Sequence, residues 1–472
     1  MIKAMKRRVL LIVSLGLLSW NMLTAQEYTH YSEWMVASEM KRTAHPYNLN
    51  FSPWGAQWSY QVGIELDAMF DVYLKYKSVA VLNYLKEYPA KMIASDGKIS
   101  SYKLSDYNLD NVRPAHFLLR YYQNFPANKE LLALNTLFKQ LEEQPRTTNG
   151  VWWHKAIYAN QVWLDGVFMG MPFYTLAAPL LKPGEETDIY DDAVNQMTTT
   201  DKKTYDAATD LWKHAWSEAK IFWADEVTGQ SQHTWGRALG WYAMALVEVL
   251  DALPEDYTRR QEIVEVFQHV MASVVKYQDE TSGVWFDVLD VVDDRNYLEA
   301  TCSSMFAYCL LKGFRMGYLD ASYQQAGIKA YRGIVKEFVK KNTNNTISLT
   351  KCCEVSGLGP ENKPNRDGSF EYYMSENVRD NDPKGIGPFV WASLEMEELG
   401  YQVDNLDEDL TTDLRSSFLS DDVNEDKASN QHSVYGNAWF DLGGRKIADG
   451  NISSSQIRKG IYVHNGKKIS RK

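Results

Sequence analysis

The sequence predicts an all-α fold, an (α/α)6 toroid followed by a small C-terminal β-type tail, and three observations carry that expectation. First, apolar periodicity marks twelve helices separated by polar or Pro/Gly breaks. They fall at about 28–42, 56–76, 78–95, 109–124, 127–144, 160–178, 186–206, 235–253, 256–279, 298–317, 320–341 and 386–399. Second, two kinds of helix alternate. Those beginning near 56, 109, 160, 235, 298 and 386 are apolar on most sides, as from Trp241 to Leu250, and those between are amphipathic, as from Asn128 to Lys139. A helix apolar all round must be covered all round, whereas an amphipathic one needs cover on one face. Six of each, alternating, is what an inner ring wrapped by an outer ring requires. An open solenoid of helix pairs is the competing arrangement, and an uneven hairpin spacing, from about 50 to nearly 90 residues, disfavours it. Third, the helical pattern stops near residue 404 and short β-type runs follow.

Taken from the N-terminus, Met1 to Arg8 carries Lys3, Lys6, Arg7 and Arg8, an apolar run spans Val9 to Leu18, and Leu23-Thr24-Ala25 offers a small residue for cleavage. That is the layout of a secretory signal peptide, so residues 1–25 are expected to be a leader and the product exported, with the periplasm the default destination and the cell surface or medium the alternatives. No other apolar run reads as long and clean enough for a membrane span. Residues 26–403 form the expected helical domain. Two stretches within it, about 207–234 and 343–385, lose the helical pattern just before inner helices and should sit at the mouth of the toroid. Residues 404–430 read as an acidic linker. In the tail, 431–472, the runs Ala438 to Leu442 and Gly460 to His464 are separated by Gly-Gly and Asp-Gly turns. This tail resembles the small C-terminal β modules of exported Bacteroidetes proteins; secretion signal and structural remnant both remain open.

Composition narrows the function. The 45% apolar content fills a large core, and the 13% aromatic share includes 15 Trp and 29 Tyr. Aromatic rings either fill such a core or stack on sugar faces. Loss of the four leader cations would take the net charge from −11 to −15. That balance argues against nucleic acid or an anionic membrane as partner, and an acidic sugar would need cations gathered locally in its pocket. The four cysteines, Cys302, Cys309, Cys352 and Cys353, are not spaced as a disulfide framework and read as buried thiols. No metal-ligand spacing occurs among the nine His, and no nucleotide-binding motif is present, so neither a metal nor another cofactor is expected.

Candidate chemistry clusters where inner helices begin. Trp152-Trp153-His154-Lys155 is followed by Tyr158 and by Gln161-Val162-Trp163-Leu164-Asp165, with Phe168 and Met169 just beyond. Apolar neighbours would raise the Asp165 pKa and let it hold a proton, although a helix N-terminus pulls the other way. A plain helix cap is the alternative. Asp110, in Asn108-Leu109-Asp110, is a second carboxylate at a neighbouring helix start, either the partner in an acid/base pair or an N-cap. His214 and Trp216 precede His233-Thr234-Trp235-Gly236-Arg237, with Gly240-Trp241 after it. Arg237 and Trp241, one turn apart, could offer a bidentate cation and a stacking ring to one sugar, or Arg237 could simply pair with a core carboxylate. Glu299 to Ser304 and Asn381-Asp382-Pro383-Lys384-Gly385 open the last two inner helices, and turn chemistry is the favoured reading of the glycine-rich one.

Together these motifs resemble glycoside hydrolase family 105, the unsaturated rhamnogalacturonyl hydrolases, with the family 88 unsaturated glucuronyl hydrolases as relatives. The resemblance spans about residues 28–400 and includes Trp58-Ser59-Tyr60 with Gly63, Asn108 to Asp110 with Pro114, Trp153 to Gly166, His214 to Trp216, Trp235 to Trp241 and Asn381 to Gly387. It implies the (α/α)6 fold and hydrolysis by hydration of the C4=C5 double bond of a terminal unsaturated galacturonic acid on pectin-derived oligosaccharides. It implies Asp165 as proton donor to C4, Asp110 as its assistant, and a pocket of Tyr60, His154, Trp163, Met169, His214, Trp235, Arg237 and Trp241. The chain departs from the family's usual Trp-x-Arg-Gly-Asn-Gly-Trp at Ala238 and Leu239, a change that bears on sugar preference rather than on the reaction. Other (α/α)6 sugar enzymes (an unsaturated glucuronyl hydrolase, an epimerase or an inverting glycosidase) and a non-catalytic glycan-binding protein are the competing readings.

Overall fold

The computed structural model describes residues 28–408 except Trp54, together with four short strands between 438 and 471. Its long helices are α1 (Tyr31–Arg42), α2 (Tyr60–Tyr76), α3 (Val79–Met92), α4 (Pro114–Asn124), α5 (Asn128–Glu143), α6 (Leu164–Leu181), α7 (Glu186–Thr204), α8 (Gly236–Ala252), α9 (Arg260–Lys276), α10 (Ala300–Arg315), α11 (Ala321–Phe338) and α13 (Pro383–Glu398), with the six-residue α12 (Phe370–Ser375) before the last. Helices α2, α4, α6, α8, α10 and α13 pack each on the next, and α13 returns onto α2, so the inner ring is closed. These are the six segments read as apolar on most sides. In α8 every residue from Gly236 to Leu250 is buried. The outer helices cover them with one face, as α5 does through Ala133, Leu134, Leu137, Phe138 and Leu141. Close approach within the ring needs Gly63, where a Cβ would come within 2.7 Å of Pro114 Cα.

Helix starts differ from the sequence reading where local chemistry intervenes. The segment expected at 109–124 splits into a 3-10 turn, Leu109–Asn111, and α4, which takes Pro114 as its first residue because that position needs no N–H donor. The segment expected from 160 begins instead as strand β1 (Gln161–Trp163), and α6 starts at Leu164. The last inner helix starts at Pro383, capped by Asp382 and not at 386. The non-helical stretches hold short antiparallel pairs: β2 (Tyr205–Asp206) with β3 (Leu211–Trp212), β1 with β4 (Ala215–Ser217), β5 (Val339–Lys341) with β6 (Ile347–Leu349), and β7 (Cys352–Cys353) with β8 (Val378–Arg379). All four cysteines are buried and free. Contrary to the sequence reading, α6 is by length and composition apolar enough to cross a membrane; 72% of it is buried inside the protein, which accounts for its composition.

The chain divides into two compact units, 1–410 and 411–472. The second carries β9 (Ala438–Asp441), β10 (Lys446–Asp449), β11 (Gly460–His464) and β12 (Lys467–Arg471), an antiparallel sheet in the order β10-β9-β11-β12. The expected leader, 1–25, and most of the acidic stretch 404–430 lie outside the described residues.

Charge is buried along the inner ring. Arg113, at the start of α4, donates to Glu248 of α8 (2.8 Å) and to Asp67 of α2 (3.1 Å). Asp67 also pairs with His116 (2.6 Å) and Arg120 (2.6 Å), and Arg120 reaches Asp71, which accepts from Trp391 of α13. Burial alone would raise the Asp67 pKa, but His116, Arg120 and Arg113 outweigh it and hold the carboxyl well below its ordinary value. Removing one member of such a network strands the others. We expect Arg113→Met to lower the urea midpoint with an unchanged slope, at a cost of about 3–5 kcal/mol. Because the folded pKa of Asp67 is depressed, its contribution is present above the unfolded value near ~3.9 and is lost as pH falls toward the folded one. An unchanged midpoint in Arg113→Met would show that the network contributes nothing to ring closure.

Candidate active site

The starts of the six inner helices supply the polar groups at one end of the ring. Tyr60 opens α2, Asp110 sits in the turn before α4, Asp165 is the second residue of α6, Trp235 and Arg237 flank the start of α8, Glu299 caps α10 and Asp382 caps α13. Neither Asp165 nor Asp110 is a capping residue. The α6 start has no side-chain cap, and Asn108 caps the Asp110 turn by accepting from the Asp110 N–H (3.0 Å). Both carboxylates are thereby left for other work. Tyr60 lies in the fields of Asp110, Arg237, Asp382 and Asp165, so helices distant in sequence converge on one place.

Asp165 is largely buried, with 14% of its side chain exposed, and its Oδ2 lies 3.3 Å from His214 Nε2. The alignment falls short of a full hydrogen bond, and among the described residues neither atom has another partner. The expectation that apolar surroundings raise the Asp165 pKa is corrected here. Burial does push it up, but His214, then His154 and Arg237, push it down further, and the net shift is below the ordinary value. On its other side, His214 Nδ1 lies 2.8 Å from the Tyr373 hydroxyl.

His154 packs parallel to Trp163 (4.7 Å between ring centres), with Tyr158 also on that indole, and Trp163 meets His214 edge-on at 5.4 Å. Burial lowers the His154 pKa to about 4, so the ring is a neutral imidazole near neutrality. Gly166 makes room for it, since a Cβ there would come within 2.9 Å of His154 Nδ1. Asp110 lies 3.5 Å from His154 Nε2 and 2.5 Å from Lys155 Nζ. Burial disfavours the Lys155 charge, but Asp110 more than offsets this and raises its pKa.

Arg237 is buried and stacks on Trp235, its guanidinium 4.4 Å from the ring centre. It donates to the Cys353 carbonyl, and its Nε is unpartnered. The core-carboxylate alternative does not hold: among the described residues no carboxylate lies within ion-pair distance of it. Trp235 sits 4.9 Å from His214 and donates to Asp287 Oδ1 (3.0 Å). Burial, with Glu299 nearby, raises the Asp287 pKa to about 8.

The structure therefore brings together Tyr60, Asp110, His154, Trp163, Asp165, His214, Trp235 and Arg237. It does not present Met169 and Trp241 at the mouth. Each is four residues beyond a mouth residue, hence one turn deeper in the ring. Met169 is buried, and Trp241 stacks on Phe168 at 4.7 Å. Sequence reasoning assigned no role to Lys155, Tyr373 or Asp287. Lys155 stands in a quoted motif, but Tyr373 is 159 residues from His214 and no spacing announces that pair. A concavity of about 540 Å³ lies elsewhere, on the outer wall beside α11, and is lined in part by Lys329, Arg332, Lys336 and Lys341. Among the described residues no group of three or more His, Cys, Asp or Glu is placed to hold a metal ion.

Comparison with known proteins agrees with this architecture. The family model of Glycosyl Hydrolase Family 88 matches residues 31–400. A solved glycoside hydrolase of family 105 from C. acetobutylicum superposes with a TM-score of 0.74 at 38% identity, covering 78% of this chain and 99% of that one. Protein Atu3128 of Agrobacterium fabrum is 33% identical over 236 residues, 48% of this chain and 97% of that protein. The unsaturated rhamnogalacturonyl hydrolase YesR of Bacillus subtilis is 26% identical over 202 residues, 42% of this chain and 54% of that protein. A closed double ring of helices with these matches is an (α/α)6 glycoside hydrolase, and the chain belongs to the glycoside hydrolases of families 88 and 105.

Proposed function

We propose that the protein removes a terminal 4,5-unsaturated galacturonic acid from lyase-generated rhamnogalacturonan oligosaccharides by hydrating the C4=C5 bond. One observation carries the acidic-sugar part of this reading: Arg237 is buried without a carboxylate partner, a state stabilised when an anion arrives. The rhamnose-linked aglycone rests on the partial likeness to YesR. Export by way of the leader to the periplasm belongs to the same proposal and rests on the residue pattern of positions 1–25.

The uronate carboxylate is taken by the Arg237 fork, which matches it bidentately. Its negative charge offsets the Arg237 field, one of the influences that hold Asp165 down, so the Asp165 pKa rises as substrate binds. Protonated Asp165 delivers its proton to C4 and the π electrons of the vinyl ether form the C4–H bond. Positive charge then develops at C5 and the ring oxygen. Water adds to C5 and yields its proton to the Asp165 carboxylate, which is restored to the acid. The resulting hemiketal opens and the next sugar departs. Asp110, tied to Lys155, positions the sugar beside His154.

This reading predicts that unsaturated rhamnogalacturonan disaccharide loses its ultraviolet absorbance with wild type, while Asp165→Asn slows the loss by about 10²–10⁴-fold. Wild-type rates in Asp165→Asn would remove the assignment of the donor, and cleavage of saturated oligosaccharides without an absorbance change would favour an ordinary glycosidase. A second expectation concerns pH. Because the donor must be protonated and its pKa is depressed in the free enzyme, the alkaline limb of kcat/KM should lie at lower pH than that of kcat. Coincident limbs would count against a substrate-induced rise. Arg237→Leu should raise KM for the unsaturated uronate by at least about tenfold, the loss of one charge-assisted pair; an unaltered KM would place the carboxylate elsewhere.

A further inference from the structure

The geometry points to Tyr373 as a positioning residue that fixes the tautomer and orientation of His214, so that His214 turns an Nε2–H toward Asp165 and never serves as a base. Tyr373 stands on α12, within the stretch 343–385 but ahead of its Asn381–Gly385 motif, and was not among the candidate site residues. It is fully buried, its ring lies 6.2 Å from that of Trp235, and its hydroxyl is 2.8 Å from His214 Nδ1. Local structure holds it there. Ser369 caps α12 by accepting from the Tyr372 N–H (3.1 Å), and the Tyr372 hydroxyl accepts from the Gly357 N–H (2.9 Å).

A neutral imidazole carries one N–H and one lone pair, and the partner of one nitrogen settles what the other presents. Burial keeps the Tyr373 hydroxyl protonated, its pKa well above the ordinary value, and Asp287, Asp290 and Asp165 face it as like charges to a phenolate. Its proton needs an acceptor, and among the described residues His214 Nδ1 is the one within reach. With Nδ1 accepting, Nε2 bears the ring proton and directs it at Asp165 Oδ2, 3.3 Å away. The opposite arrangement would set a lone pair of Nε2 against the carboxylate and leave the tyrosine proton without a partner. His154 and Arg237 also act on Asp165, but neither bonds to the His214 ring. A ring so held cannot take the proton of the attacking water, which leaves that step to Asp165.

This inference rests on the reading of Asp165 as proton donor, yet its first test is independent of turnover. Nitrogen NMR of histidine-labelled wild type, with the His214 signals assigned by their loss in His214→Gln, should show a neutral ring protonated at Nε2. Its Nδ1 resonance should move in Tyr373→Phe as the accepted hydrogen bond is lost. On the unsaturated disaccharide, Tyr373→Phe should lower kcat by roughly tenfold, as expected for a misaligned donor, and leave KM unchanged. A ring protonated at Nδ1 in wild type, or an Nδ1 resonance that does not move in the variant, would overturn the assignment whatever the enzyme turns over. Equal losses in kcat/KM through KM alone would make Tyr373 a binding residue instead. If wild type consumes no unsaturated sugar while the NMR result holds, the proposed reaction fails and the tautomer assignment stands.

Discussion

Closure of the inner ring depends on how charge is accommodated inside it. Asp67 and Arg113 are fully buried; Arg113 meets carboxylates from two helices, Asp67 of α2 and Glu248 of α8, and Asp67 meets Arg113, His116 and Arg120 from the α4 segment. Such groups are tolerated only when paired and hydrogen-bonded on several sides. The network ties α2, α4, α8 and, through Asp71 and Trp391, α13 into one arrangement. An open helical array would leave Arg113 without Glu248 and Asp71 without Trp391. Above this layer Arg113 lies 4.0 Å from the Phe168 ring, and Phe168 stacks on Trp241. The aromatic pair thus separates a structural charge cluster from the one at the mouth.

The mouth uses a related electrostatic situation for a different end. Asp165 is pulled up by burial and down by His214, His154 and Arg237, and the downward influences prevail in the free protein. A new charge beside a buried carboxylate shifts it markedly, because little water screens the interaction. The deeper network has no such freedom, because each of its charges is already met. Arg237 is the exception among the buried cations described, and its incompleteness separates a site from a support.

The short strand pairs explain how loops can hold such a site. Pairing of β1 with β4 sets Trp163 opposite Ala215 and brings His214 beside Asp165. Pairing of β7 with β8 holds Cys353, whose carbonyl accepts from Arg237, next to the segment that leads into Asp382. Positions fixed by backbone pairing give side chains a defined direction without requiring them to lie on one helix.

The sequence by itself determined the ring of helices, its inner and outer members, and the motif-bearing helix starts, because apolar periodicity and breakers act over neighbouring residues. Asp165 and Arg237 stood out for the same reason, each in a compact motif at a helix start, whereas His214, between β3 and β4, entered through the family resemblance. Only the tertiary structure decided that Trp241 and Met169 turn into the core, since a side chain one turn deeper reads identically in the sequence. It likewise decided the direction of the Asp165 shift, which sums burial against two histidines and an arginine on other segments, and the pairing of Tyr373 with His214 across 159 residues. Fields and hydrogen bonds follow distance in space, and that distance exists only once the ring has closed.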